Sequence, residues 1–294
     1  MTKLYGGVET GGTWCVCALG TGPGELVAHD RFPTTSPRET IERIVAFFSS
    51  DAHPAPAGIG LGSFGPVDLD PDSSTWGSVT TTPKPGWAHT PVAGVLRERL
   101  GVPVAFDTDV NAAALGEQRW GAGRDAPSLC YVTVGTGVGA GLLVAGRPLH
   151  GLVHPEVGHL RIPHDTVRDP FAGVCPFHGD CWEGLACGPA VSARWGAEGR
   201  ELPDEHPAWA LEAGYLALGI LSIVMVASPH RVILGGGVME RGPLLGLVRA
   251  RLRELVGGYL SLPLLGEGID RFLVRPELDD DAGVLGAIAL AQQL

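Results

Sequence analysis

One short module occurs twice in this chain, and that repeat limits the possible folds more than any other feature. Residues 3–20 read KLYGGVETGGTWCVCALG, a strand, a glycine-rich turn and a second apolar strand, and Leu26 to Phe32 offers a third strand. About 126 residues later LCYVTVGTGVGAGLLVAGRPLHG, beginning at Leu129, runs again as strand, glycine-rich turn, strand and turn. Gly6, Gly7, Gly11 and Gly12 lack the Cβ atoms that would stop a backbone closing on an oxyanion. Thr10 and Thr13 add hydroxyls, and Glu9 adds a carboxylate able to hold Mg2+ through water. A single turn of this kind serves a plain hairpin equally well. Two of them, facing one another, suit a polyphosphate gripped from both sides. The phosphate-loop signature with its lysine is absent, and so is the dinucleotide fingerprint followed by a helix.

Between and beyond the modules, strands alternate with helices. Ser36, Pro37 and Glu39 give a helix start with a capping box, and Ile41, Ile44, Val45 and Phe48 share one face. Gly58 to Leu61 is a strand, Thr90-Pro91 opens a helix to about Leu100, and Val102 to Phe106 is another strand. It delivers DTDVNAAALGEQRWG, where Asp107, Asp109 and Asn111 crowd a helix N-terminus. Asp107 is read as an N-cap. Asp109, at the strand tip, is suitably placed to accept a proton from a substrate hydroxyl. Further on come helices from Pro189 to Trp195, up to Ala227, and from Pro243 to Val256, with Val232 to Leu234 and Phe272 to Val274 as strands. GGGVM follows the Val232 strand and suits a base and ribose, or serves as an ordinary turn. A last helix, 282–294, is rich in Ala and Gly and is expected to pack against an early strand.

The segment from His154 to Gly188 is broken by Pro163, Pro170, Gly173, Pro176 and Gly179 and needs another source of order. Cys175, His178 and Cys181 run as C-x2-H-x2-C, with His159 sixteen residues upstream of Cys175. Two thiolates and two imidazoles close a tetrahedral set for a structural Zn2+. Two buried cysteines with surface histidines are the plainer alternative. Cys15, Cys17 and Cys130 lie in apolar runs as core residues, and Cys187 is left outside the metal set.

A chain of 294 residues suits two domains. The net charge of −11 excludes a nucleic-acid partner, whose phosphates need a basic face. No run of eighteen apolar residues and no basic leader with a hydrophobic core is present, so no membrane association and a cytoplasmic location are expected.

GGVETGGT, DTDVNAAALGE, TVGTGVGAG, HPEVGH, CPFHGDCWEG and LGGGVM, in this order, closely resemble the ROK family of bacterial sugar kinases. GSFGPVD, TPKPGW and VHPE look like its fructokinase branch. The resemblance implies an α/β, actin-like ATPase (ribonuclease H-like) fold with two α/β domains and an interdomain cleft. The first domain is expected over 1–112, completed by helix 282–294, and the second over 113–281 with the zinc loop at 154–188. It implies ATP with Mg2+ and a hexose, D-fructose first, phosphorylated at the 6-hydroxyl with Asp109 as general base. Gly11, Gly12 and Thr13, and Gly135, Thr136, Gly137 and Gly139, become phosphate turns. Pro189, Gly235, Gly236, Gly237, Val238 and Met239 line the adenosine end. Asn111, Glu156, His159 and Glu183 serve the sugar, and one ring nitrogen of His159 on zinc leaves the other to donate. His178 stands where many members carry a third Cys. Glu9 stands where many carry Asp, and Trp14 where most carry Lys, so a cation is missing there. Glucose or mannose is the alternative acceptor. A non-catalytic sugar sensor is opposed by the presence of Asp109. The family's repressors carry an N-terminal helix-turn-helix, for which a turn starting at Gly6 leaves no room. A homodimer is implied.

Overall fold

The computed structural model describes residues 2–294. The chain begins with β1 (Tyr5–Thr10), β2 (Trp14–Gly20), β3 (Leu26–Pro33), α1 (Pro37–Phe48) and β4 (Ile59–Ser63). It continues with α2 (Val92–Leu100), β5 (Val104–Thr108), α3 (Asp109–Trp120), β6 (Leu129–Val134), β7 (Val138–Val144) and β8 (Arg147–Pro148). After the proline- and glycine-broken segment come α4 (Trp182–Ala186), α5 (Gly188–Trp195), α6 (Ala208–Ala227), β9 (Arg231–Gly235) and α7 (Leu244–Val256). The last elements are α8 (Ile269–Phe272), β10 (Leu273–Val274) and α9 (Ala282–Ala291). Two compact units result. Unit 1 takes residues up to Pro127, Gly141–Pro155 and Pro276–Leu294; unit 2 takes Ser128–Ala140 and Glu156–Arg275.

Unit 1 is built on a five-stranded sheet in the order β3-β2-β1-β4-β5. The β1–β2 and β2–β3 pairs are antiparallel, whereas β1–β4 and β4–β5 are parallel. The sequence of β2 explains its place as an inner strand. Cys15 and Cys17 point to one core with Phe32, Ile41, Ile44 and Phe48, while Val16 and Ala18 point to the other with Val284, Leu285 and Ile288. A strand covered on both faces reads as a continuous apolar run because each alternate residue meets a core of its own. Ser36 Oγ accepts from Glu39 N at 3.3 Å and starts α1, which buries Ile41, Ile44, Val45 and Phe48 as their spacing predicts.

The second core is closed by α9, which lies on β1 and β4 as expected. Small residues permit it: a Cβ on Gly60 would overlap the Ala287 carbonyl oxygen, and one on Gly286 would overlap that of Ala112 in α3.

The second sheet has the order β10-β9-β6-β7-β8, with β6–β9 and β9–β10 parallel and β7–β8 antiparallel. Read from β8, it repeats the strand order of the first sheet. The repeat seen in the two opening hairpins therefore extends to all five strands. In unit 2 the Trp182 indole is fully buried against α6 at Gly219, where a Cβ would collide with the ring. Although Glu212 interrupts the apolar run, α6 is one helix long and apolar enough to cross a membrane; half of that stretch is buried within the fold.

Candidate active site and metal centre

In unit 1 the turn between β1 and β2 is held by its carbonyl oxygens. Gly11 O accepts from Thr34 Oγ1 at 2.8 Å, Gly12 O from Lys84 Nζ at 2.6 Å, and Thr13 O from Thr34 N at 2.9 Å. In a trans peptide the N–H lies opposite the C=O, so the amides of Gly12 and Thr13 point away from these donors. That is the polarity an anion needs. A Cβ on Gly12 would meet nothing within 4 Å, so the tip of the turn is open.

The end of β5 runs straight into α3. Thr108, not Asp107, is the N-cap: its Oγ1 accepts from Asn111 N at 3.1 Å. Asp107 is instead a buried strand residue. Its Oδ1 accepts from Thr108 N and from Asn111 Nδ2, each at 2.7 Å, and its Oδ2 meets His150 Nε2 at 3.0 Å. That bond pushes the His150 pKa up. The Asn111 amide is thereby fixed in orientation by Asp107.

Asp109 is the first residue of α3, and burial raises its carboxyl to about 6, against the opposing bond from Val110 N. Glu9, on β1, is raised to about 8, by burial first and by the Asp109 charge second, with Arg31 acting in the other direction. Gly283 of α9 makes room for the Glu9 carboxyl, which a Cβ there would strike. The structure thus brings Glu9 and Asp109 into electrostatic reach of each other. A divalent cation fits this pair chemically, since two half-buried carboxylates that resist ionisation together are relieved by one positive charge.

In unit 2 the corresponding turn joins β6 to β7, with Gly135 N donating to Gly137 O at 2.9 Å. Thr136 lies in this turn and Gly139 in β7. Glu183, on α4, accepts from Val138 N at 3.0 Å, and a Cβ on Gly137 would lie 2.5 Å from the same Oε2. Gly188 N donates to Gly135 O at 2.7 Å, which fastens the start of α5, and with it Pro189, to the turn. Gly236, past the end of β9, has φ +93 and sits against the Val134 backbone, where a side chain has no room. Gly237, Val238 and Met239 follow in a 3-10 turn, with Met239 N bonded to Gly236 O at 2.8 Å and Arg275 bonded to Met239 O at 2.7 Å. A Cβ on Gly188 would lie 3.6 Å from the Val238 side chain. The second turn, the head of α5 and the GGGVM segment are therefore neighbours.

Glu156 and His159 bracket a short 3-10 turn, Val157–His159, whose Gly158 lies against the Val138 carbonyl. Val138 is thus a common point for this loop and for Glu183. One carboxylate oxygen of Glu183 is used on that backbone, a role its sequence position does not disclose.

His159, Cys175, His178 and Cys181 offer ligand atoms that all lie within 4.8 Å of one another. Cys175 Sγ is 3.7 Å from His159 Nδ1 and 3.6 Å from His178 Nδ1, and Cys181 Sγ is 3.6 Å from His159 Nδ1. Zn–S and Zn–N bonds at a tetrahedral angle place sulfur and nitrogen about 3.6 Å apart. The donor set therefore fits Zn2+ in both type and spacing. Burial pushes the Cys181 thiol up to about 11, so a thiolate there needs a cation beside it. Cys187 is buried outside the set, its thiol pushed up to about 12, and Cys15, Cys17 and Cys130 are core residues. Three features had no signal in the sequence: Lys84 on the first turn, the Asp107–His150 pair, and Gly283 beside Glu9.

Residues 5–294 match the model of the ROK family. The chain is 44% identical to a fructokinase of Zymomonas mobilis over 298 aligned positions, covering 98% of this chain and 96% of that protein. It is 39% identical to a fructokinase of Streptococcus mutans over 297 positions, covering 100% and 99%. Its structure is similar to that of a ROK family glucokinase from Streptomyces griseus in complex with glucose and AMPPNP, with a TM-score of 0.79 at 25% identity, covering 99% of this chain and 100% of that one. The twice-built α/β architecture is accordingly the actin-like ATPase fold, and the chain belongs to the ROK family.

Proposed function

We propose that this protein is an ATP-dependent fructokinase that transfers the γ-phosphoryl group of ATP to the 6-hydroxyl of D-fructose. The observation that carries the reading is full-length identity of 44% to a fructokinase, together with a carboxylate of raised pKa at the head of α3. The Asp109 carboxylate takes the hydroxyl proton as that oxygen attacks phosphorus; the bond to the leaving ADP oxygen breaks as the new one forms. Mg2+ arriving with ATP neutralises phosphate charge, and Glu9 with Asp109 is the carboxylate pair suited to it. Gly11–Thr13 in unit 1 is proposed for phosphate, as are Gly135–Gly137 and Gly139 in unit 2. Pro189 and Gly235–Met239 are proposed for the adenosine end. Asn111, Glu156, His159 and Glu183 are proposed for the sugar, Asn111 through an amide oriented by Asp107 and Glu183 while it supports Val138. His159, Cys175, His178 and Cys181 would hold a structural Zn2+, which supplies order to the loop and no chemistry. A homodimer is part of the reading, by family resemblance, and light scattering tests it.

The direct test is ADP release with Mg2+ and ATP across fructose, glucose and mannose. Higher kcat/KM for fructose is expected. Equal or better turnover of glucose or mannose removes the fructokinase assignment and keeps the hexose kinase, and no turnover with any of them removes the kinase.

A further inference from the structure

The loop after β8 carries two histidines with opposite tasks, and both belong to unit 1, as does the head of α3. His154 is an acceptor. Its Nε2 takes the Val67 amide at 3.0 Å, and burial lowers its pKa, which keeps that nitrogen free of a proton. His150 is a donor. Its Nε2 meets Asp107 Oδ2 at 3.0 Å, and a carboxylate oxygen only accepts. The backbone around it is fastened: Leu149 N donates to Leu142 O at 2.8 Å and Gly151 N to Val153 O at 3.1 Å. Strand β7, which leads into this loop, lies on the first turn of α3, where a Cβ on Gly141 would overlap the Val110 carbonyl oxygen.

The Asp107 side chain is 3% exposed. Its Oδ1 accepts from Thr108 N and Asn111 Nδ2, and among the described residues His150 is the one donor to Oδ2. Thr108 and Asn111 belong to the turn that opens α3, and Asp109 begins the helix between them. The carboxylate therefore ties the end of β5 to the head of α3, and His150 holds the carboxylate. Without that donor a nearly enclosed carboxylate oxygen has no partner, which is costly. Turning it toward water relieves the cost and draws Oδ1 away from Thr108 and Asn111.

We propose that His150 is a positioning residue for the Asp109 base: by donating to Asp107 Oδ2 it locks the Thr108–Asn111 turn, and with it the backbone that carries Asp109. The proposal rests on the kinase reading above. His150 takes no part in proton or phosphoryl transfer. It keeps the base in register with the substrate hydroxyl, and a misplacement of about 1 Å in such a step can cost about 100-fold in rate.

The experiment measures turnover with fructose, ATP and Mg2+ for the wild-type chain, His150→Phe and His150→Gln, each checked by its thermal unfolding midpoint. Phenylalanine removes the donor, whereas the glutamine amide can reach the same oxygen. If His150→Phe does not fold, His150→Asn, too short to reach, takes its place. His150→Phe is expected to lower kcat about 10- to 100-fold, to leave the KM for ATP within about threefold, and to speed amide hydrogen exchange at Thr108 and Asn111. His150→Gln should recover most of kcat. A kcat for His150→Phe within about threefold of wild type overturns the proposal, as does equal loss from Phe and Gln, which marks the ring as packing alone. An effect confined to the KM for ATP also overturns it. Should the wild-type chain turn over glucose or mannose better than fructose, that sugar serves in the same comparison. If it phosphorylates none, the kinase reading falls on its own, and exchange at Thr108 and Asn111 decides for His150: rates unchanged by His150→Phe overturn the tie, and faster exchange leaves it standing.

Discussion

At Asp109 and Glu9 the raised carboxyls each carry a pH expectation. Asp109 can act as a base only when ionised, and its carboxyl is raised to about 6. The logarithm of kcat/KM should therefore fall with unit slope below about pH 6 and level off above it. Asp109→Asn should lower kcat by about 10²- to 10⁴-fold with the fold intact; turnover near that of wild type would remove Asp109 as the base. Glu9 gives a second, opposite expectation. Both carboxyls are raised in the folded state, so the native protein holds these protons more tightly than the unfolded chain. Their contribution to stability is fully present below 3.8, the lower of the two ordinary values, and is lost as pH rises through about 6 and then about 8. Glu9→Gln cannot ionise, so it should stabilise the ligand-free protein at pH 8.5 by roughly 2–4 kcal/mol and much less at pH 4.5. Urea unfolding at the two pH values checks this, and an equal effect at both would contradict buried ionisation. The same variant should lose Mg2+-dependent turnover, because the charge that strains the apo state is the one that answers the cation.

Among the elements, α9 is the one whose sequence describes its place best. Its run Ala282-Gly283-Val284-Leu285-Gly286-Ala287-Ile288-Ala289 is apolar all round, and it is buried on nearly every side, against β1, β4 and α3. Gly286 brings its backbone onto the Ala112 carbonyl of α3, while Gly283 clears the Glu9 carboxyl. The two glycines should consequently separate under mutation. Gly286→Ala must push two helix backbones apart and is expected to cost about 1–3 kcal/mol, read as a lower urea midpoint with an unchanged slope. Gly283→Ala should act chiefly on activity and Mg2+ dependence, since the atoms it displaces are the flexible end of one side chain. Comparable stability losses from both would show that neither backbone approach is specific. Periodicity and a cap made α1 legible and an unbroken apolar, Ala- and Gly-rich run made α9 legible, as for any element whose signals are local. The cap of α3 was misplaced by one residue because Asp107 and Thr108 are both good caps; the choice was made by His150, 43 residues away in sequence, which engages Asp107. The role of Glu183 as an acceptor for Val138 N was likewise not legible, since that bond spans 45 positions.

For the whole molecule, the proposed pair of phosphate turns reconciles a net charge of −11 with an anionic substrate. Each sheet places a glycine-rich turn after its first strand, and backbone amides bind phosphate without any net cationic charge. The twofold pattern was visible in the hairpins, whereas strands β9 and β10, some forty residues apart in sequence with α7 and α8 between them, revealed their equivalence only through sheet order. The metal loop has no counterpart in unit 1, and this asymmetry yields a test. Its proposed sources of order are the four donors spaced for Zn2+ and Trp182, which is seated at Gly219 of α6. Removing a bound ion leaves two thiols and two imidazoles with nothing to hold them, and metal-binding energy of this kind is folding energy. A strong chelator is therefore expected to speed amide exchange across residues 156–188 and α6 and to lower the unfolding midpoint by more than about 5 °C. Strands β1, β4 and β5, whose cores contain none of these ligands, should keep their protection. Cys181→Ser should reproduce the pattern without chelator. Fewer than about one zinc per two chains in the purified protein, with exchange indifferent to chelator, would leave Trp182 as the loop's anchor and remove the metal from its architecture.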